Sequence, residues 1–141
     1  MGHCYNTSVI NASIEQVWSA ISNFHDLSWA DQVVTKVDKV GNASGTEIGA
    51  KRVLNDAFHE TLLTVDTHIH TFTYQIDNGP GPLEPGLVSN YIGKVALYPI
   101  TDSGKTFIEW TSTFESQDED QVAEFCDPIY IALLQSLGSK F

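Results

Sequence analysis

Short segments rich in Val, Ile, Thr, Tyr and Phe, each followed by Gly, Asn, Asp or Ser, dominate the chain from residue 32 to residue 116. This composition and spacing are typical of antiparallel β-strands joined by short turns. The predicted strands lie near residues 33–41, 47–55, 58–66, 69–77, 87–100 and 105–116. Together with an extended segment from His3 to Ile10, they predict a sheet of seven strands.

A short helical region separates the first predicted strand from the other six. Ser13 can cap the first free backbone N–H groups of a helix, and Gln16, three residues later, completes the pattern of a capping box. Apolar residues then recur at helical spacing, so we predict a helix from about Ser13 to Asn23. Residues 24–31 predict a second short helix.

The C-terminal part of the chain is one long amphipathic segment. Apolar residues from Val122 to Leu137 recur at helical spacing, and acidic residues precede them, which favours the start of a helix. Pro128 interrupts the pattern, because proline removes the hydrogen bond to the carbonyl four residues earlier. We therefore expect either a bend at Pro128 or a helix that restarts with Asp127 as its cap.

The order of these elements predicts an α+β fold. A seven-stranded antiparallel sheet has one apolar face to cover, and one long helix with two short ones can cover it. Because a twisted sheet curls, we expect the strands to curve around the C-terminal helix and to leave a cavity for a small molecule between sheet and helix. With 141 residues, 42% of them hydrophobic, the chain has the size of a single domain over residues 1–141.

The charge of the chain argues against two classes of partner. Seven Lys and Arg against eighteen Asp and Glu give a net charge of −11, and Arg52 is the only arginine. Nucleic acids and anionic membrane surfaces would be repelled, so we expect no nucleic-acid binding and no stable membrane association. With no long apolar run and no basic leader in the first residues, the expected location is the cytoplasm. A monomer and a homodimer both remain open.

Neither a metal nor a cofactor is predicted. Cys4 and Cys126 are too far apart for a CxxC pair, and we expect two buried, reduced thiols. His68 and His70 would share one face of a strand, a spacing that metal ligands use, but exposed histidines beside a turn are the simpler interpretation. The sequence contains no G-x-S-x-G, P-loop or dinucleotide-binding motif.

Four local segments carry a resemblance to a known superfamily. They are ASIEQVW at residues 12–18, IGAKRVL at 48–54, HETL at 59–62 and SNY at 89–91. In these segments, and in the order of its elements, the chain resembles the helix-grip proteins. These include START lipid-transfer domains, birch-pollen-allergen-like proteins, plant abscisic-acid receptors and polyketide cyclase/dehydrases. The resemblance implies a seven-stranded curved sheet around a long C-terminal helix and a ligand pocket between them. It also places the residue matching Glu60 in that pocket.

Alternation along the strands predicts which side chains face the cavity. In the last strand it turns Ile108 and Trp110 inward, whereas the resemblance places Glu109 in the pocket, and we follow the resemblance. We expect Arg52 on the strand next to Glu60, and two residues of the C-terminal helix, to complete the lining. The expected ligand-binding residues are Arg52, Phe58, Glu60, Leu62, Phe72, Tyr74, Ile76, Tyr91, Glu109, Phe125 and Ile129.

Glu60 has three possible roles. A carboxylate on the inner face of a sheet needs a partner, because burial otherwise favours its neutral form. It can form an ion pair with Arg52, anchor a polar group of a ligand, or act as a general acid or base together with Glu109.

The function predicted from these features is the binding of a small, mostly apolar molecule of about ten heavy atoms or more. The alternatives are a cyclase or dehydratase that uses the same cavity and a ligand-gated regulator. The loop at residues 78–86, rich in proline and glycine, is either a long hairpin connection or a lid over the site.

Overall fold

Seven antiparallel strands form one sheet in the computed structural model, which describes residues 1–141. The strands are β1 (Gly2–Ile10), β2 (Val37–Val40), β3 (Lys51–Leu54), β4 (Phe58–Asp66), β5 (Thr71–Asn78), β6 (Val88–Pro99) and β7 (Thr106–Ser116). Their order in the sheet is β1-β7-β6-β5-β4-β3-β2. The six later strands are therefore a meander, as predicted, and β1 joins it at the β7 edge.

The first two strands of the meander are shorter than predicted. Val33 and Val34 donate backbone hydrogen bonds to the Ala30 carbonyl, which holds them in a turn instead of a strand. Before β3, the N–H of Ala50 closes a turn onto the carbonyl of Glu47, and Gly49 adopts a positive φ of 93°. Local hydrogen bonds thus take the place of the ladder at Val33 and Val34, whereas Gly49 and Ala50 combine the turn with backbone hydrogen bonds to Leu62 of β4.

The first helix, α1 (Ile14–Ile21), starts where the capping box predicts. The hydroxyl of Ser13 accepts a hydrogen bond from the Gln16 N–H at 3.3 Å, and the Gln16 side chain accepts one from the Ser13 N–H at 3.0 Å. Residues 24–31, in contrast, contain only a 3₁₀ turn at Ser28–Ala30. The carboxylate of Asp26 accepts from the Ser28 N–H, a local bond that competes with helix formation.

The second helix, α2 (Glu119–Gly138), runs without interruption through Pro128. The predicted restart at Asp127 is wrong, because the helix is capped by Asp118, whose side chain accepts from the N–H of Gln121 at 3.1 Å. The Asp127 carboxylate instead accepts a hydrogen bond from the side chain of Asn6 on β1 at 3.0 Å. That bond ties the middle of α2 to the edge strand.

The core lies between the inner face of the curved sheet and α2. Cys126, Tyr130, Leu133 and Leu137 are among the residues that α2 buries against the sheet. The turn at Ser28–Ala30 closes one side, where the Ser136 hydroxyl donates to the Trp29 carbonyl at 3.0 Å. This is the helix-grip arrangement that the resemblance implies.

Both cysteines are free and buried, as expected. Burial raises the pKa of Cys4 to about 12 and that of Cys126 to about 11. Near neutral pH both side chains are therefore thiols that pack as small apolar groups.

Candidate ligand-binding site

A cavity of about 60 Å³ lies between the sheet and α2. Fourteen of its 17 lining residues are hydrophobic, and Arg52 and Glu60 are the only charged ones. The aliphatic part of the wall consists of Leu27, Val33, Val34, Leu54, Ile76, Leu83, Ile129 and Leu133. Phe58 and a set of aromatic residues on β5, β6, β7 and α2 complete the enclosure.

The structure brings seven of the eleven expected residues together around this cavity. They are Arg52, Phe58, Glu60, Tyr74, Ile76, Tyr91 and Ile129. Their position follows from strand alternation and, for Ile129, from helical spacing. What they bind stays a prediction.

Three further expected residues lie elsewhere on the inner side of the molecule. Leu62 and Phe72 are buried, but they belong to the packed core and do not line the cavity. Phe72 packs against Trp18 and Phe24, which fill that end of the sheet. Phe125 is half-buried and lies beside Gly81, so it supports the loop and does not face the cavity.

Glu109 is not in the cavity. The buried residues of β7 are Thr106, Ile108, Trp110, Ser112 and Phe114. Glu109 faces the other side of the sheet, where its carboxylate accepts a hydrogen bond from the Tyr5 hydroxyl at 2.7 Å. The position that the resemblance implies is therefore corrected, and the physical reason is that hydrophobic alternation turns Ile108 and Trp110 inward.

Arg52 and Glu60 form a buried ion pair on directly opposed positions of β3 and β4. Arg52 Nε donates to Glu60 Oε1 at 2.8 Å, and Nη2 lies 2.7 Å from the same oxygen. The third nitrogen, Nη1, donates to the Phe24 carbonyl at 2.9 Å, and the guanidinium stacks 3.7 Å from the centre of the Phe24 ring. The ion-pair interpretation of Glu60 is thus confirmed.

The Glu60 carboxylate combines two unusual properties. Burial raises its pKa above the usual value, and the positive charge of Arg52 opposes that rise. Its second oxygen, Oε2, accepts no hydrogen bond from the protein. Trp29 Nε1 is the only side-chain polar atom that is both fully enclosed and without a partner. Glu60 Oε2, which also lacks a partner, therefore keeps some accessible surface.

Glu60 and Arg52 also border a second hollow, of about 200 Å³. Its remaining walls are Val40, Lys51, Val53, His59 and Asp77, so it is mainly polar. The ion pair therefore stands where the apolar cavity and the polar hollow adjoin.

A cluster of hydroxyl groups also lines the cavity. The hydroxyls of Tyr91 and Tyr130 are hydrogen-bonded to each other, and Tyr91 donates to the Ser112 hydroxyl at 3.2 Å. Nearby, Trp110 Nε1 donates to the Tyr74 hydroxyl at 2.9 Å. Burial raises the pKa of all three tyrosines, so their hydroxyls remain neutral.

Tyr130 and Trp110 were not expected in the site. Tyr130 lies four residues after Cys126 and three before Leu133, both on the buried stripe of α2, so helical spacing alone would have found it. Alternation along β7 had indicated that Trp110 faces inward, but the resemblance, which placed Glu109 in the pocket, was followed instead.

The rim of the cavity is fixed by Asn55. This residue has a positive φ of 54°, and its side-chain oxygen accepts from the N–H groups of Thr35 and Lys36 at 2.9 and 3.2 Å. Its amide nitrogen donates to the Val33 carbonyl at 3.0 Å. One side chain thus holds residues 33–36 against the turn between β3 and β4.

The loop at residues 78–86 contributes Leu83 to the cavity wall. A 3₁₀ turn at Gly81–Leu83 directs this side chain inward, where it is 1% exposed. The backbone hydrogen bonds of the loop are local, from Leu83 to Pro80 and from Glu84 to Gly81. Leu83 therefore closes part of the cavity wall, and it belongs to a loop whose backbone hydrogen bonds are mainly internal.

The histidines near the turn between β4 and β5 are not placed as a metal pair. Strand β5 begins at Thr71, so His68 and His70 lie in the turn and do not share a strand face. The ring of His70 packs against the edge of Trp18, with ring centres 5.5 Å apart.

Neither helix has the length and apolar character of a membrane span.

Comparison with known proteins assigns the chain to a family. Residues 1–141 match the family described as polyketide cyclase/dehydrase and lipid transport. The chain belongs to this family. The superfamily resemblance found in the sequence is thereby confirmed, and with it a fold that binds hydrophobic ligands. No curated protein matches the chain.

Solved structures share the fold of this polyketide cyclase/dehydrase and lipid-transport family member. A protein from Nitrosospira multiformis is 37% identical, with a TM-score of 0.96 over 99% of this chain and 95% of that one. XoxI from Bacillus cereus is 24% identical, with a TM-score of 0.80 over 100% of this chain and 96% of its own. A protein from Thermobifida fusca is 21% identical, with a TM-score of 0.82 over 99% and 93%. The last two show the fold alone.

Proposed function

We propose that this protein binds a small, mostly apolar molecule in the cavity between the sheet and α2. The observation that carries the proposal is the combination of an apolar wall with a buried ion pair and a hydroxyl cluster. Filling the same interior with apolar side chains would often be as stable or more stable. Polar groups kept beside an open space are the usual anchors of a ligand site.

The cavity is smaller than the expected ligand. About 60 Å³ leaves room for about four water molecules at roughly 15 Å³ each, and so for less than about ten heavy atoms. The wall must therefore widen when a ligand of that size enters. Leu83 is the best-placed part of the wall to move, because its loop bonds mainly to itself and Gly81 and Gly86 lie on either side of it.

The test compares two isoleucines on α2, with p-cresol as the probe. Ile129 lines the cavity, and Ile131, two residues later, is 48% exposed on the outer side of the helix. The I129F variant should fill the cavity and abolish the heat of p-cresol binding in calorimetry, whereas I131F should bind as the wild type does. Equal binding by both variants would place the probe outside the cavity and overturn the proposal.

A second candidate function is catalysis of a cyclase or dehydratase type. It is favoured by one observation, namely that a carboxyl group with a raised pKa and three neutral tyrosine hydroxyls line the same cavity. Because Glu109 faces outward, any acid–base chemistry would rest on Glu60 and the tyrosines. Native mass spectrometry of protein purified from its own host would identify the retained compound. If E60Q retained that compound but no longer converted it, catalysis would be the function.

A further inference from the structure

The charges around the cavity restrict the kind of molecule that fits. Arg52 and Glu60 are the only charged residues in its wall, and they neutralise each other at 2.7 Å. Moving an anion from water into an apolar space is costly unless a cation receives it. No lining residue other than Arg52 carries a positive charge.

Each of the three side-chain nitrogens of Arg52 already contacts a protein acceptor. Two of its nitrogens contact Glu60 Oε1, the third donates to the Phe24 carbonyl, and one face of the guanidinium lies on the Phe24 ring. A ligand carboxylate that approached Arg52 would also approach the Glu60 carboxylate, and like charges in a poorly solvated site repel strongly. The wall therefore disfavours fatty acids and aromatic acids.

The same pair leaves one acceptor free. Glu60 Oε2 accepts no protein hydrogen bond and is not sealed, so it can receive a hydrogen bond from a ligand. Hydrogen bonds to a charged acceptor are the stronger kind. The tyrosine hydroxyls that line the cavity are neutral, and each can donate a hydrogen bond to a ligand oxygen or accept one from a ligand hydroxyl.

We propose that the ligand is a neutral molecule with an apolar body and a hydroxyl group that donates to Glu60 Oε2, and that molecules bearing a carboxylate are rejected. This inference rests on the proposed function of the cavity. It predicts that the charge of Glu60, and not the shape of the cavity, determines the choice between a hydroxyl and a carboxylate on the same body.

The experiment uses three probes with one shared body, namely p-cresol, p-toluate and p-xylene, in calorimetric titrations near neutral pH. The wild type should bind p-cresol roughly tenfold more tightly than p-xylene, because of the hydrogen bond, and p-toluate more weakly than either. Tighter or equal binding of p-toluate would overturn the inference while leaving the cavity as a binding site. Failure of all three probes would overturn the proposed function and the inference with it.

Two variants with the same change in net charge sharpen the test. In E60Q the charge of Arg52 is no longer cancelled, so the preference should reverse and p-toluate should bind more tightly than p-cresol. E109Q removes a carboxylate on the outer face and should keep the wild-type order. An unchanged order in a folded E60Q variant would contradict the inference. Should E60Q not fold, the wild-type order decides alone.

Because the cavity is narrow, the titrations are repeated with L83A. This truncation enlarges the cavity without changing either residue of the ion pair. All probes should bind at least as tightly as in the wild type, and the order p-cresol, p-xylene, p-toluate should persist. A reversed order in L83A would overturn the inference.

Discussion

The ring of Tyr74 on β5 occupies the space in which a side chain of Gly93 on β6 would stand. The two residues are directly opposed in the sheet, and a Cβ atom at position 93 would lie 2.2 Å from Tyr74 Cζ. Tyr74 is 2% exposed and receives the hydrogen bond from Trp110 at the cavity wall. The absence of a side chain on one strand thus positions an aromatic hydroxyl on the next.

Replacing Gly93 should displace Tyr74. We expect G93A to lower the free energy of unfolding by about 1–3 kcal/mol through overpacking. Urea denaturation measures this loss. The control is G138A near the end of α2, where an added Cβ would be 3.9 Å from its nearest neighbour outside the helix. G138A should be neutral or slightly stabilising, and equal stability of the two variants would contradict the assigned packing.

Replacing one partner of the buried ion pair should lower the free energy of unfolding far more than replacing both. R52M leaves the Glu60 carboxylate without its countercharge, so we expect a loss of about 3–5 kcal/mol. The double variant R52M/E60L should recover most of that loss in a denaturation cycle. The exposed pair Lys36–Asp56 is the control, and K36M should leave the free energy of unfolding close to that of the wild type. Similar losses in R52M and K36M would show that the Arg52 pair is not buried.

The raised pKa of Glu60 predicts the direction in which the stability of the protein changes with pH. Because the folded state holds this proton more tightly than the unfolded chain, the contribution of Glu60 to stability is greatest below its unfolded pKa. It is lost as pH rises through the folded pKa. The wild type should therefore gain stability relative to E60Q as pH falls towards 4.5, the usual value for this group. A difference that shrinks on acidification would mean that Arg52 lowers the pKa of Glu60.

The cysteines should be unreactive while the protein is folded. Their pKa values of about 12 and about 11, and their burial, leave almost no thiolate at mildly alkaline pH. We expect iodoacetamide to label neither Cys4 nor Cys126 in native buffer and both in guanidinium, as read by intact mass. Rapid labelling of the native protein would show that the contact between β1 and α2 opens.

Most of the topology could be predicted from the sequence, because turn residues mark the strand ends and a capping box marks α1. The starts of β2 and β3 could not, since Val33 and Val34 bond to the Ala30 carbonyl and Ala50 bonds to the Glu47 carbonyl. These bonds depend on turns whose geometry alternation does not reveal.

The candidate site was predicted in part. Alternation identified Tyr74 and Tyr91, and it would also have excluded Glu109, for which the resemblance proved the poorer guide. The size of the cavity could not be predicted. It depends on how far side chains from a turn and a loop reach into the interior, namely Phe24, which packs on Arg52, and Leu83, which lines the cavity.

Methyl NMR during a titration with p-cresol tests the central claim most directly. If the space between the sheet and α2 is a binding site, saturable shifts should be largest at Ile76, Leu83, Ile129 and Leu133, which line it. The exposed methyl groups of Ile48, Ile69 and Ile131 should hardly move. Shifts confined to these exposed groups, or no saturable shifts at all, would contradict the account.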